Sequence, residues 1–172
     1  MVFNKFLRIT IFFIFTASPL LLNISKANAA EEIKIIYSIF SRTIEVNSLK
    51  NFAEEGKSTK NLRRILKATG SPDEEVRSVL NKDFEIPITI ASKLVYSEIG
   101  NIFLTRLSSI IHPSRADDER TGMLALRASV IQGIKIGNGK INLINFFEGY
   151  PTQTIILDVN ALSKVMNKVE SI

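Results

Sequence analysis

The chain has 172 residues, of which 45% are hydrophobic and 23% charged, with a formal net charge of +5, a single histidine and no cysteine. That balance is ordinary for a globular protein. The lack of cysteine excludes disulfides, thiol catalysis and a cysteine-linked lipid anchor, and a lone histidine excludes a histidine-based metal centre unless carboxylates converge on it.

The first segment reads as an export signal, not as part of the fold. Lys5 and Arg8 precede the mostly apolar run "ITIFFIFTASPLLLNI", and "SKANA" ends in the small-x-small pattern Ala27-Asn28-Ala29. This order of charged, apolar and small-residue regions is that of a secretory signal peptide. The apolar run falls short of the roughly 20 residues a membrane span needs. Residues 1–29 are therefore expected to be a cleaved signal directing the chain to a periplasmic or extracellular space; left uncleaved, they would be a membrane anchor. Setting aside Lys5, Arg8 and Lys26, with no acid among them, lowers the net charge of residues 30–172 to +2. A domain so nearly neutral has little electrostatic reason to bind nucleic acid. The basic stretch "KSTKNLRRILK" lacks the interleaved aromatics that stack on bases and reads as a solvated helix face.

Residues 30–172 have the length of one domain. Ile33, Ile35 and Tyr37 alternate with Lys34 and Ser38, and Ile44 and Val46 with Thr43 and Glu45, predicting two strands in a hairpin around Ile39 and Phe40. "NSLKNFAEEGK" predicts a short helix capped by Asn47 or Ser48, stopped at Gly56, with Leu49, Phe52 and Ala53 inward. "STKNLRRILKATG" predicts a second, with Leu62, Ile65 and Leu66 on one side. In "SPDEEVRSVL" the pattern predicts Ser71 as cap, Pro72 in the first helical position and Glu74 completing a capping box. "FEIP" reads as an extended linker. From Thr89 the residues Ile90, Leu94, Val95, Ile99, Phe103, Leu107, Ile110 and Ile111 recur three or four apart, predicting two helices divided near Gly100 and closed by Pro113. A helix resuming near Thr121 should run to "GNG" at 137–139. "INLINFFEGYP" predicts another, bounded by Gly149 and Pro151. "TQTIILDV" alternates as a third strand, and "NALSKVMNKVESI" closes as an amphipathic helix with Leu162, Val165, Met166 and Val169 inward.

The expected fold class is α+β, mainly helical: about seven short helices, with a small sheet of roughly three strands drawn from the two chain ends. Economy of backbone hydrogen bonding pairs "TIILDV" with the N-terminal hairpin.

The segment richest in reactive groups is "IIHPSRADDER", which gathers His112, Ser114, Asp117, Asp118 and Glu119. Serine, histidine and acid are the parts of a hydrolytic triad. The local account is simpler: carboxylates suit the first turn of a helix, and a histidine suits the end of one. No G-x-S-x-G nucleophile elbow occurs anywhere in the chain. "GIKIGNGK" is not a phosphate loop, because residue 134 is isoleucine and Ile141 follows Lys140, where the pattern asks for glycine and for serine or threonine. "FFEGYP" reads as core packing at a helix end. These residues yield no candidate catalytic, cofactor-binding or metal-ligating position, and no cofactor is expected.

The order of segments nevertheless resembles a known family. An export signal followed by "AAEEIKIIYS", then "FSRTIEVNSLKNFAEEGK", "SEIGNIFLTRLSSII", "ALRASVI" and "INLINFFEGYPTQTIILDV", is similar to the N-terminal domain of exported cyanobacterial proteins described as alpha/beta hydrolase of unknown function. Ser38 departs from the glycine expected after the tyrosine, and "SVIQGIK" from an alanine-rich stretch. In longer members this domain resembles a preface to a separate hydrolase domain carrying its own nucleophile. The resemblance thus implies an accessory or interaction role with a protein partner, such as a hydrolase domain, and no catalytic residue at any position here. The alternative it leaves open is an esterase- or lipase-like hydrolase.

Overall fold

A computed structural model describes residues 29–115 and 118–170. Nearly all of the expected signal segment, and Asp117, lie outside the described residues. Two strands, β1 (Glu32–Tyr37) and β2 (Phe40–Glu45), form the hairpin that the alternation predicted. Helices α1 (Val46–Glu55), α2 (Lys60–Thr69) and α3 (Asp73–Leu80) follow. A two-residue strand β3 (Phe84–Glu85) leads into α4 (Ile88–Val95) and α5 (Glu98–Ser108). Strand β4 (Ile111–Pro113) precedes the long helix α6 (Glu119–Ile136) and strand β5 (Lys140–Ile141). Helix α7 (Leu143–Glu148), strand β6 (Thr154–Asp158) and α8 (Val159–Glu170) complete the described chain. The domain is α+β and mainly helical, as its periodicities implied.

The main sheet has the order β2-β1-β6-β4. Strand β6 pairs with the hairpin, as expected, running parallel to β1 with Ile33 opposite Ile155. The fourth strand comes from mid-chain: β4 pairs antiparallel with β6, placing His112 beside Ile156. Consecutive strand residues point to opposite faces, yet Ile155 and Ile156 are both buried. Both faces of the sheet are therefore covered at its centre, with α6 packed on β4 and α8 on β1. Phe52, Leu62, Leu126 and Ile155 are among the most enclosed members of one continuous core. Each such side chain contributes about 1.5–3 kcal/mol relative to exposure.

The predicted linker "FEIP" is a strand in part. β3 pairs antiparallel with β5, Phe84 opposite Ile141, and Lys140 reaches the Glu85 carboxylate at 2.9 Å. The backbone N–H of Ile86 also bonds the Gly139 carbonyl. These contacts tie the entry of α4 to the turn after α6, a pairing too short for periodicity to reveal.

Several helix starts differ from expectation by a few residues. α1 begins at Val46 with Glu45 as N-cap, and Ser48 donates to the Glu45 carboxylate. Pro72 rather than Ser71 is the N-cap of α3, with no side-chain cap, and Glu74 pairs forward with Arg77 at 3.3 Å. The acids Asp73, Glu74 and Glu75 still meet the positive end of the helix. The break between α4 and α5 lies at Ser97, whose hydroxyl accepts from the Gly100 N–H. Gly100 sits inside α5, where a Cβ would lie 1.9 Å from the Leu94 carbonyl oxygen. Its role is to let α4 and α5 meet closely.

Candidate functional site

His112 was expected at a helix C-terminus, but α5 ends at Ser108 and the histidine lies in strand β4. The helix dipole therefore does not act on it; hydrogen bonding to β6 took the segment instead. Its Nδ1 is 3.1 Å from the Pro113 carbonyl oxygen. A carbonyl only accepts, so Nδ1 is assigned the proton. Ser114 is exposed in the following turn, where its backbone N–H bonds the Thr154 carbonyl. Asp118 is the N-cap of α6: one carboxylate oxygen accepts from the Thr121 N–H at 2.7 Å, the other from the Thr121 hydroxyl at 2.6 Å. These bonds favour the charged form and hold the Asp118 pKa below its ordinary value. Glu119 opens α6 beside it. The histidine and Asp118 of "IIHPSRADDER" are thus each bonded to backbone or to a neighbour, and not to each other.

A cleft of about 500 Å³ opens at the start of α1, lined by Ala30, Glu31, Glu32, Glu45 and Glu148 among others. Each carboxylate already has a partner: Glu31 accepts from Gln153, Glu32 from Thr154, Glu45 from Ser48 and Glu148 from Lys50. The 2.8 Å Lys50–Glu148 pair joins α1 to α7, and the hydrogen bond to Glu148 raises the Lys50 pKa. Among the described residues, no group of three or more histidines and carboxylates is placed to hold a metal ion.

One buried charge escaped the sequence reading. Arg127 lies within α6, and its Nε donates to the Val95 carbonyl at 3.0 Å while a terminal nitrogen donates to the Asn101 side chain. Its guanidinium also stacks over the Tyr96 ring at 4.3 Å. The side chain thereby fastens α6 to the α4–α5 corner. The available signal was an arginine among inward positions, since Met123, Leu126, Arg127, Val130 and Ile134 follow helical spacing.

That corner carries an unusual load of exposed apolar surface. Ile88, Ile90 and Leu94 on α4, Tyr96 between the helices, and Ile99, Ile102 and Phe103 on α5 all face solvent. A second exposed group, Tyr37, Ile39 and Phe40, sits at the tip of the β1–β2 hairpin. Scattered exposed apolar residues need no explanation, but contiguous patches mark interaction sites.

These features define a mainly helical α+β domain with a four-stranded mixed sheet and a braced apolar corner. The model of the family described as alpha/beta hydrolase of unknown function matches residues 29–158, and the chain belongs to that family. No curated protein and no solved structure shows significant similarity to it.

Proposed function

We propose that this chain is an exported, non-catalytic accessory domain that works by binding protein partners, with a hydrolase domain as one such partner. The observation that carries the reading is the apolar corner of α4 and α5. Seven large apolar side chains within residues 88–103, on two helices and the corner between them, face solvent, and Arg127 fastens that corner to α6. Burying such surface is the main favourable term in protein association. Export follows from the charged, apolar and small-residue order of residues 1–29, with cleavage after Ala29 leaving a chain that starts at Ala30.

Size-exclusion chromatography of the processed chain with the hydrolase domain of a longer family member tests the partner. Co-elution is expected, and its loss with Ile39→Lys or Leu94→Lys would locate the contact. Independent elution of the two would remove the hydrolase domain as partner. Mass spectrometry of exported protein should show Ala30 as the first residue; a retained segment 1–29 would make the chain membrane-anchored.

Family membership favours one second reading, an esterase-like hydrolase. Short- and medium-chain ester substrates test it directly. Turnover abolished by a serine-reactive inhibitor would replace the accessory reading with a catalytic one.

A further inference from the structure

Helix α5 presents to solvent a pattern that is its own complement. Ile99, Ile102 and Phe103 are 81%, 51% and 62% exposed, at the i, i+3, i+4 spacing that places them on one side of a helix. They lie opposite the buried Leu104 and Ser108. Glu98 occupies the first turn and Arg106 the last, both exposed. Neither takes part in an ion pair among the described residues. Ile102 stands midway, four residues from each charge.

We propose that this face joins two copies of the chain, with α5 packed antiparallel on α5 about a two-fold axis passing beside Ile102. In a two-fold interface each contact occurs twice, so the surface must complement itself. Reversing α5 about Ile102 sets Glu98 of each copy toward Arg106 of the other. At 1.5 Å per residue these charges fall about 6 Å to either side of the axis. The two Ile102 side chains meet at the centre, with Ile99 and Phe103 around them. A parallel arrangement would oppose glutamate to glutamate and arginine to arginine. An anionic membrane surface would meet Glu98 unfavourably, whereas a second copy satisfies both charges. The brace from Arg127 to Val95 and Asn101 presents the face already ordered, which lowers the entropy lost on association.

This inference rests on the interaction reading and adds the occupant of one face. Sedimentation velocity of the processed chain, from micromolar to submillimolar concentration, should show a reversible monomer–dimer equilibrium. Ile102→Lys should abolish the dimer. Glu98→Arg or Arg106→Glu should each weaken it by about tenfold, and the double reversal Glu98→Arg/Arg106→Glu should recover most of that loss. All four variants change exposed positions, and circular dichroism confirms that they remain folded. A wild-type chain that stays monomeric throughout overturns the proposal, as does a dimer indifferent to Ile102→Lys or a double reversal that restores nothing. A monomer that still co-elutes with a hydrolase domain would remove the dimer and leave the interaction reading standing.

Discussion

Tyr150 is wholly enclosed, yet its hydroxyl has no hydrogen-bond partner among the described residues. Burial pushes its pKa up, so the group stays neutral across the working pH range. The ring meets Phe146 edge-on at 6.2 Å, and phenylalanine would keep that contact. Tyr150→Phe is therefore expected to leave stability unchanged or raise it by about 1 kcal/mol, read from urea denaturation. A loss larger than about 1 kcal/mol would mean that the hydroxyl is bonded to an internal water. Ser38 poses the opposite problem, a strained backbone under a well-bonded amide. It adopts φ 53° at the hairpin turn, with its N–H donating to the Asn160 side chain at 2.8 Å. The left-handed region costs a non-glycine residue roughly 1–2 kcal/mol. Glycine, the residue the resemblance implies after the tyrosine, would adopt this conformation without that strain. Ser38→Gly should stabilise the chain by about 0.5–1 kcal/mol, the flexibility of the unfolded glycine offsetting part of the strain released. A lowered thermal midpoint would contradict that account.

At the scale of elements, α6 is governed by its cap. The Asp118 pKa is depressed in the folded state, so its contribution is fully present above the unfolded value of about 3.9. That contribution is lost as pH falls below this value through the lower folded one. Asp118→Ala should lower the denaturation midpoint at neutral pH, and the difference from the parent should close in acid. A constant difference down to strongly acid pH would show that the carboxylate is not the cap's active group. Where α7 meets α6 the limit is space. A Cβ on Gly149 would fall 2.7 Å from the Gly133 nitrogen and 2.9 Å from the Ser129 oxygen, both backbone atoms. Gly149→Ala should thus cost about 1–3 kcal/mol; an unchanged denaturation midpoint would mean that the two helices separate freely.

Much of this level was legible in the residues. Leu49, Phe52 and Ala53 turn inward in α1 and Leu62 and Leu66 in α2, as their spacing predicts. Gly56 and Gly70 end those helices in left-handed conformation. Helices α4 and α5 are recognisable by the same spacing, which does not tell their buried faces from their exposed ones. Of the residues in that series, Ile90, Leu94, Ile99 and Phe103 are exposed, while Val95 and Ile110 are buried. Periodicity locates an apolar stripe; it does not say whether the core or another molecule covers it. With two apolar sides and one core to serve, α5 turns Leu104 and Ser108 against α6, where Gly122 allows the Ser108 side chain to approach.

For the molecule as a whole, family membership and architecture answer different questions. The chain belongs to a family described as alpha/beta hydrolase. Among the described residues, however, only β1 and β6 run parallel, and no repeated strand–helix units build a doubly wound sheet. A fold does not carry a function by itself. His112 lies in a paired strand and Asp118 caps a helix, whereas large apolar side chains of α4 and α5 face solvent. That surface is the one on which dimer formation depends.

Local order by itself determined the helices, the hairpin, most helix ends and the third strand, because each rests on contacts within a few residues and on the fixed periods of helix and strand. The sequence also settled, without any structure, that no thiol and no nucleophile elbow is present. Only the tertiary structure decided that β6 lies parallel to β1, that Ile111–Pro113 is a strand and not a helix end, and that β3 pairs with β5. It alone turned Ile99, Ile102 and Phe103 outward and enclosed Arg127. Such choices depend on which distant segment satisfies a backbone hydrogen bond or covers an apolar face, and no local spacing carries that information.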